Sequence, residues 1–165
     1  MGLNYNPGNY AINRYFQNAD TKIEREKANT SAIANYMRKN KNFPTLNPGE
    51  EWKITYYRNK AILAITIFHF LFTNDDGVLT KKEVKLIDKY LKLHKIFFTE
   101  EDNIYFATMP TPYPKENLLK YIQDNKMQKN IFNDAIRDVK ATIKKDFTYR
   151  NILTRLSEYM SQFID

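Results

Sequence analysis

The stretch Ala61-Ile62-Leu63-Ala64-Ile65-Thr66-Ile67-Phe68-His69-Phe70-Leu71-Phe72 decides how this chain folds. It is apolar on every side of a helical wheel, so a single buried stripe cannot satisfy it. A membrane-spanning helix takes about 20 such residues. Here there are 12, with His69 among them and Arg58 and Lys60 shortly before. The run therefore reads as the inner half of a helix over about 48–72, enclosed at the centre of a helical bundle. Asn47-Pro48-Gly49-Glu50 opens that helix with a capping Asn, a proline at the first helical position and an acid three residues after the cap.

Downstream, Asn74-Asp75-Asp76-Gly77 breaks the helix, and Gly77 suits a left-handed backbone position. Thr80-Lys81-Lys82-Glu83 is a capping box. The helix it starts reaches about Lys95 and divides cleanly at 100° per residue. Val84, Leu86, Ile87, Tyr90, Leu91, Leu93 and His94 take one half of the wheel. Lys81, Lys82, Lys85, Lys89, Lys92 and Lys95 take the other. Thr99-Glu100-Glu101-Asp102 caps a short helix that Pro110 ends. Pro114 starts another, with Leu118, Leu119, Tyr121 and Ile122 as its apolar face. Two further helices are predicted over 131–143 and about 148–163. Strand periodicity is nearly absent, so the fold class is all-α: a helical bundle of two packed hairpins with an N-terminal arm and helix.

Upstream, residues 1–18 are rich in Asn and Tyr and read as an extended arm. Asp20 is placed to cap a helix over about 21–39. Phe43-Pro44 and Asn47-Pro48-Gly49 form the strongest break in the chain, because each proline disfavours helix at the residue before it. The expected division is an appendage over 1–46 and an all-helical core domain over 47–165. The start, Met1-Gly2-Leu3-Asn4-Tyr5, has neither the basic nor the apolar segment of a signal peptide. With no cysteine among 165 residues, disulfide frameworks, thiolate nucleophiles and cysteine-based zinc sites are excluded. The expected location is cytoplasmic.

The net charge of +7 favours polyanions in general. Yet 19 of the 26 basic residues are Lys and seven are Arg, and Asn, Ile, Tyr and Phe abound. A/T-rich codons produce that bias, so composition accounts for part of the charge. Arg is also the better residue for bidentate phosphate contacts.

Segments 60–95 and 131–163 are alike. A shift of 69 residues lays Val84 on Leu153, Ile87 on Leu156, Tyr90 on Tyr159, Leu91 on Met160, and Gly77 on Asp146. The long apolar helix followed by Asp76-Gly77-Val78-Leu79-Thr80-Lys81-Lys82-Glu83-Val84 and an amphipathic helix resembles the first hairpin of the TerB-like (tellurite-resistance B) domain. The resemblance covers about residues 55–163. It implies a compact domain of two helical hairpins, a place in metal-stress or phage-related responses, and no enzymatic activity of the domain itself. The chain departs from that pattern in its second hairpin. Lys145-Asp146-Phe147 stands where an acid–glycine pair is expected, which argues against a paired metal site.

Placing Gly77 at the sixth position of an EF-hand loop makes Asn74, Asp76, Thr80 and Glu83 side-chain ligands for a weakly held calcium ion. Phe72 would then hold the first position, where it offers no oxygen, and the capping box already explains Thr80 and Glu83. No other cofactor is expected. His69 and His94 lie on apolar helical faces and read as packed residues. No nucleophile turn or phosphate loop is present, and no catalytic residue is assigned. The functional expectation is a non-enzymatic interaction module that meets a protein partner through the arm or through Lys82, Lys85, Lys89 and Lys92. Nucleic-acid binding by Lys-rich and aromatic surfaces, drawn from 12 Tyr, 11 Phe and Trp52, is the alternative, and a weak EF-hand-like calcium protein is a further one.

Overall fold

A computed structural model describes residues 32–35, 38, 49–74, 77–144 and 146–164. Beyond the helical residues 32–35 and 38, they form six α-helices and one short 3-10 turn, with no strand among the described residues: α1 (Trp52–Thr73), α2 (Lys81–His94), the turn Lys95–Phe97, α3 (Glu100–Ala107), α4 (Lys115–Asp124), α5 (Lys129–Ile143) and α6 (Phe147–Ser161). This is the all-α bundle that the periodicities predict. The arm over 1–18, most of the 21–39 helix, Asn47, Pro48, Asp75, Asp76 and Lys145 fall outside the described residues. No helix among those described is long and apolar enough to cross a membrane.

Helix α1 is the axis. Every residue from Ala61 to Thr73 is buried, because α2, α3, α4, α5 and α6 all pack against it, α5 most extensively. Its rings interlock with two of these neighbours. Phe68 meets Tyr90 of α2 edge-on at 5.5 Å, and Phe72 meets Tyr149 of α6 at 5.1 Å. Enclosing a Leu, Ile or Phe side chain contributes about 1.5–3 kcal/mol. A run of such residues enclosed on all sides therefore dominates the stability of the bundle.

The polar groups on α1 are buried with partners, as a low-dielectric interior requires. Thr66 Oγ1 bonds the Ile62 carbonyl at 2.8 Å and lies 3.1 Å from the Tyr105 hydroxyl. Thr73 Oγ1 donates to the His69 carbonyl at 2.7 Å and accepts the Tyr113 N–H at 2.9 Å. His69 Nε2 lies 3.2 Å from the Pro110 carbonyl. Burial pushes its ring pKa down to about 4, opposed only by that hydrogen bond. The His69 and Thr73 contacts tie the 108–114 connection to the C-terminal end of α1.

The helix ends follow the sequence in most places. Thr80 and Glu83 form the expected capping box, and so do Thr99 and Asp102. Gly77 has φ +73°. Two details differ. Helix α1 begins at Trp52, after a left-handed Gly49, rather than near 48. In the second hairpin Asp146 does not take the left-handed place that the alignment with Gly77 suggests. Its φ is −74°, and its side chain caps α6 by accepting the N–H groups of Thr148 and Tyr149. Lys144, with φ +51°, makes the left-handed step two residues earlier. A short carboxylate stabilises most as an N-cap, and that preference decides its placement.

The two hairpins, α1–α2 and α5–α6, pack through α1 and α5. Polar contacts line this seam. Tyr90 Oη donates to Asp138 at 2.9 Å, Lys60 Nζ lies 3.4 Å from the same carboxylate, and Tyr56 bonds Asp134. Burial, and then Asp138, raises the Tyr90 phenol far above its usual pKa, which keeps it protonated as the donor. From the N-terminal segment, Ala32 is buried and Asn35 Nδ2 donates to the carbonyls of Ile96 and Phe98. Residues 32–35 therefore lie against the core where α2 gives way to the 3-10 turn.

Candidate functional site

Helix α2 carries the candidate partner-binding face. Glu83, Ile87 and Tyr90 turn toward the bundle and are buried. Lys81, Lys82, Lys85, Lys89, Lys92 and Lys95 are all exposed, as the wheel predicts. Lys85, Lys89 and Lys92 line an open groove of about 440 Å³, together with Asp88 and Leu93. Lys82 lies outside that lining and continues the basic row toward the start of the helix.

Leu93 is the departure. The sequence pattern sets it on the inward half, yet it is 67% exposed. At 100° per residue it sits about a quarter turn from the middle of the buried arc, on the flank beside Lys82 and Lys89. The bundle does not extend far enough to cover it. One helical turn further on, Phe97 stacks on exposed Tyr57 at 5.6 Å. Lys60 Nζ lies 5.2 Å from the centroid of the same Tyr57 ring. Trp52 at the start of α1 is also exposed. The lysine row of α2 thus runs beside one uncovered apolar side chain, Leu93.

In the segment after α1, two of the candidate calcium ligands take part in hydrogen bonds within the fold. Glu83 Oε1 accepts the Thr80 N–H at 2.8 Å, and Oε2 accepts the Tyr149 hydroxyl. Thr80 Oγ1 accepts the Glu83 N–H at 3.2 Å. The structure therefore commits two of the four candidate ligands to capping and to the contact between α2 and α6. Asn74 is exposed at the end of α1, and Asp76 lies outside the described residues. Gly77 packs so closely over Pro112 that a Cβ there would lie 3.2 Å from the Pro112 Cδ. Among the described residues no three His, Cys, Asp or Glu side chains gather as a metal site.

Both histidines occupy packed positions. His69 is enclosed as described above. His94 stacks on Tyr90 at 4.1 Å, with Nδ1 2.9 Å from the Tyr90 carbonyl, and burial lowers its pKa.

Sequence reasoning missed three polar contacts that organise the bundle: Arg58–Asp102, Glu83–Tyr149 and Asp138 with Tyr90 and Lys60. Arg58 stands three residues before the apolar run, and that was the available signal for a buried charge needing a partner. The other two join distant segments and leave no trace in local spacing. No protein-family model, curated protein or solved structure matches this chain.

Proposed function

We propose that this chain is a non-enzymatic helical interaction module, TerB-like in its core, that holds a macromolecular partner on the basic face of α2. The observation that carries the reading is the coincidence of Lys85, Lys89 and Lys92 with uncovered Leu93 in one groove. A lysine row alone is ordinary solvated surface. A lysine row that borders unburied aliphatic surface has both of the contact types an interface uses: charge for steering and orientation, and apolar area for affinity. The packed settings of His69 and His94 support the non-enzymatic part, since both rings are committed to backbone carbonyls and aromatic neighbours.

The test compares the full chain with K82E/K85E/K89E/K92E as baits in extracts of the native host, with partners quantified by mass spectrometry. The reading expects the four-fold variant to lose the specific partner while its far-UV circular dichroism and melting temperature match the parent chain. Equal recovery by both baits overturns it.

A further inference from the structure

Resting on that reading, we infer that the α2 groove is shaped for an acidic amphipathic helix of a partner protein, with one aliphatic side chain seated on Leu93 and carboxylates facing Lys85, Lys89 and Lys92. The spacing argues for a helical partner. Lys82, Lys85, Lys89 and Lys92 recur every three or four residues, so they form one stripe along the helix. From Lys85 to Lys92 the stripe rises about 10 Å at 1.5 Å per residue. A second helix laid alongside presents side chains at the same interval, so its own three- and four-residue spacing matches the lysines in register.

Charge narrows the chemistry to acidic. Residues 81–95 hold six lysines against Glu83 and Asp88. Glu83 is buried, with its carboxylate bonded inside the fold. The outward charge is therefore strongly positive, and only an acidic surface complements it.

Two features favour a protein over a nucleic acid. Leu93 supplies aliphatic area but no ring for a base to stack on, whereas single-strand binding relies on aromatic platforms. Asp88 also lies in the groove among the lysines. A continuous phosphate track would be held against that carboxylate, whereas a peptide can set a neutral side chain opposite it.

The experiment displays a random peptide library against the full chain and re-measures selected peptides by fluorescence anisotropy on three proteins: the parent, L93S and K85E/K89E/K92E. A fluorescent single-stranded oligonucleotide is titrated in parallel across a salt series. The inference expects selected peptides with excess Asp and Glu around a Leu, Ile or Phe. Their affinity should fall about tenfold in L93S, the loss typical of a central apolar contact, and below detection in the charge-reversed variant. Selected peptides without acidic bias, or indifferent to L93S, overturn the inference. Oligonucleotide binding that is tighter than peptide binding, lost in K85E/K89E/K92E and unchanged in L93S, also overturns it but leaves the basic-face reading standing. If neither probe distinguishes K85E/K89E/K92E from the parent, both fall. Matching melting temperatures of the three proteins show that the exposed substitutions leave the fold intact.

Discussion

Replacing Asp102 with Ala tests the packing of the bundle at its most sensitive point. Arg58 on α1 and Asp102 at the start of α3 meet through two parallel bonds, Nε to Oδ2 at 2.8 Å and Nη2 to Oδ1 at 2.6 Å. Their side chains are 5% and 0% exposed. Oδ2 also accepts the Thr99 N–H at 3.0 Å, so one carboxylate both neutralises the arginine and closes the capping box of α3. Without it the buried guanidinium loses the carboxylate that meets it in a bidentate pair. That costs about 3–5 kcal/mol, and the lost cap adds about 1 kcal/mol. A loss of about 4–6 kcal/mol is a large share of the roughly 5–15 kcal/mol that holds a domain together. The variant should therefore unfold at a much lower urea concentration, read as far-UV circular dichroism at equilibrium. The double variant R58M/D102L removes both charges and fills the space with apolar side chains. Its stability should return to within about 1–2 kcal/mol of the parent, because only the cap is missing and paired buried charges add little net stability. If Asp102→Ala costs less than about 1 kcal/mol, or the double variant is weaker than the single, the assignment of a desolvated pair is refuted.

Three further outcomes follow from buried groups and backbone geometry. The His69 ring, at about 4 in the fold against an ordinary 6.5, binds protons more weakly folded than unfolded. Its contribution is therefore complete above pH 6.5 and is lost as pH falls toward about 4, by about 3 kcal/mol in all. His69→Gln should flatten that limb of the stability–pH curve in urea titrations, leaving the same-signed but separate slope from His94. An unchanged slope would show that His69 is not the group responsible. Gly77→Ala forces a side chain into φ +73° and against Pro112, and should lower stability by about 1–2 kcal/mol in calorimetry. An unaltered melting temperature would contradict the close approach. Tyr149→Phe removes the hydroxyl that meets Glu83 Oε2 and should cost about 1–2 kcal/mol. Combined with Glu83→Ala the loss should fall short of the sum of the two single losses, because both changes remove the same hydrogen bond.

Much of the architecture was legible because it depends on local rules. The capping boxes at Thr80 and Thr99 are set by residues three apart, and the enclosure of 61–72 by the absence of any polar face. The outward lysines of α2 were equally readable, since their spacing on the wheel needs no neighbour to interpret it. The candidate groove was half legible. Its lysines were placed correctly, while Leu93 was assigned inward, because a helical wheel shows which side is apolar and not how far the neighbouring helices reach across it. The Asp146 position failed for a related reason: aligning two hairpins assumes equal loop geometry, and the capping chemistry of the second hairpin moved the left-handed step to Lys144.

The amino-acid order by itself determined the helices, their ends and the need for a central enclosed segment, since periodicity, capping and hydrophobicity act within a turn or two of chain. Tertiary structure alone decided which charges are buried in pairs, which carboxylate Tyr149 reaches, and which apolar side chain of α2 stays in water. Those outcomes depend on distances between residues 44 or more positions apart for Arg58 with Asp102 and 66 for Glu83 with Tyr149, and no local pattern encodes how packed helices bring such residues together.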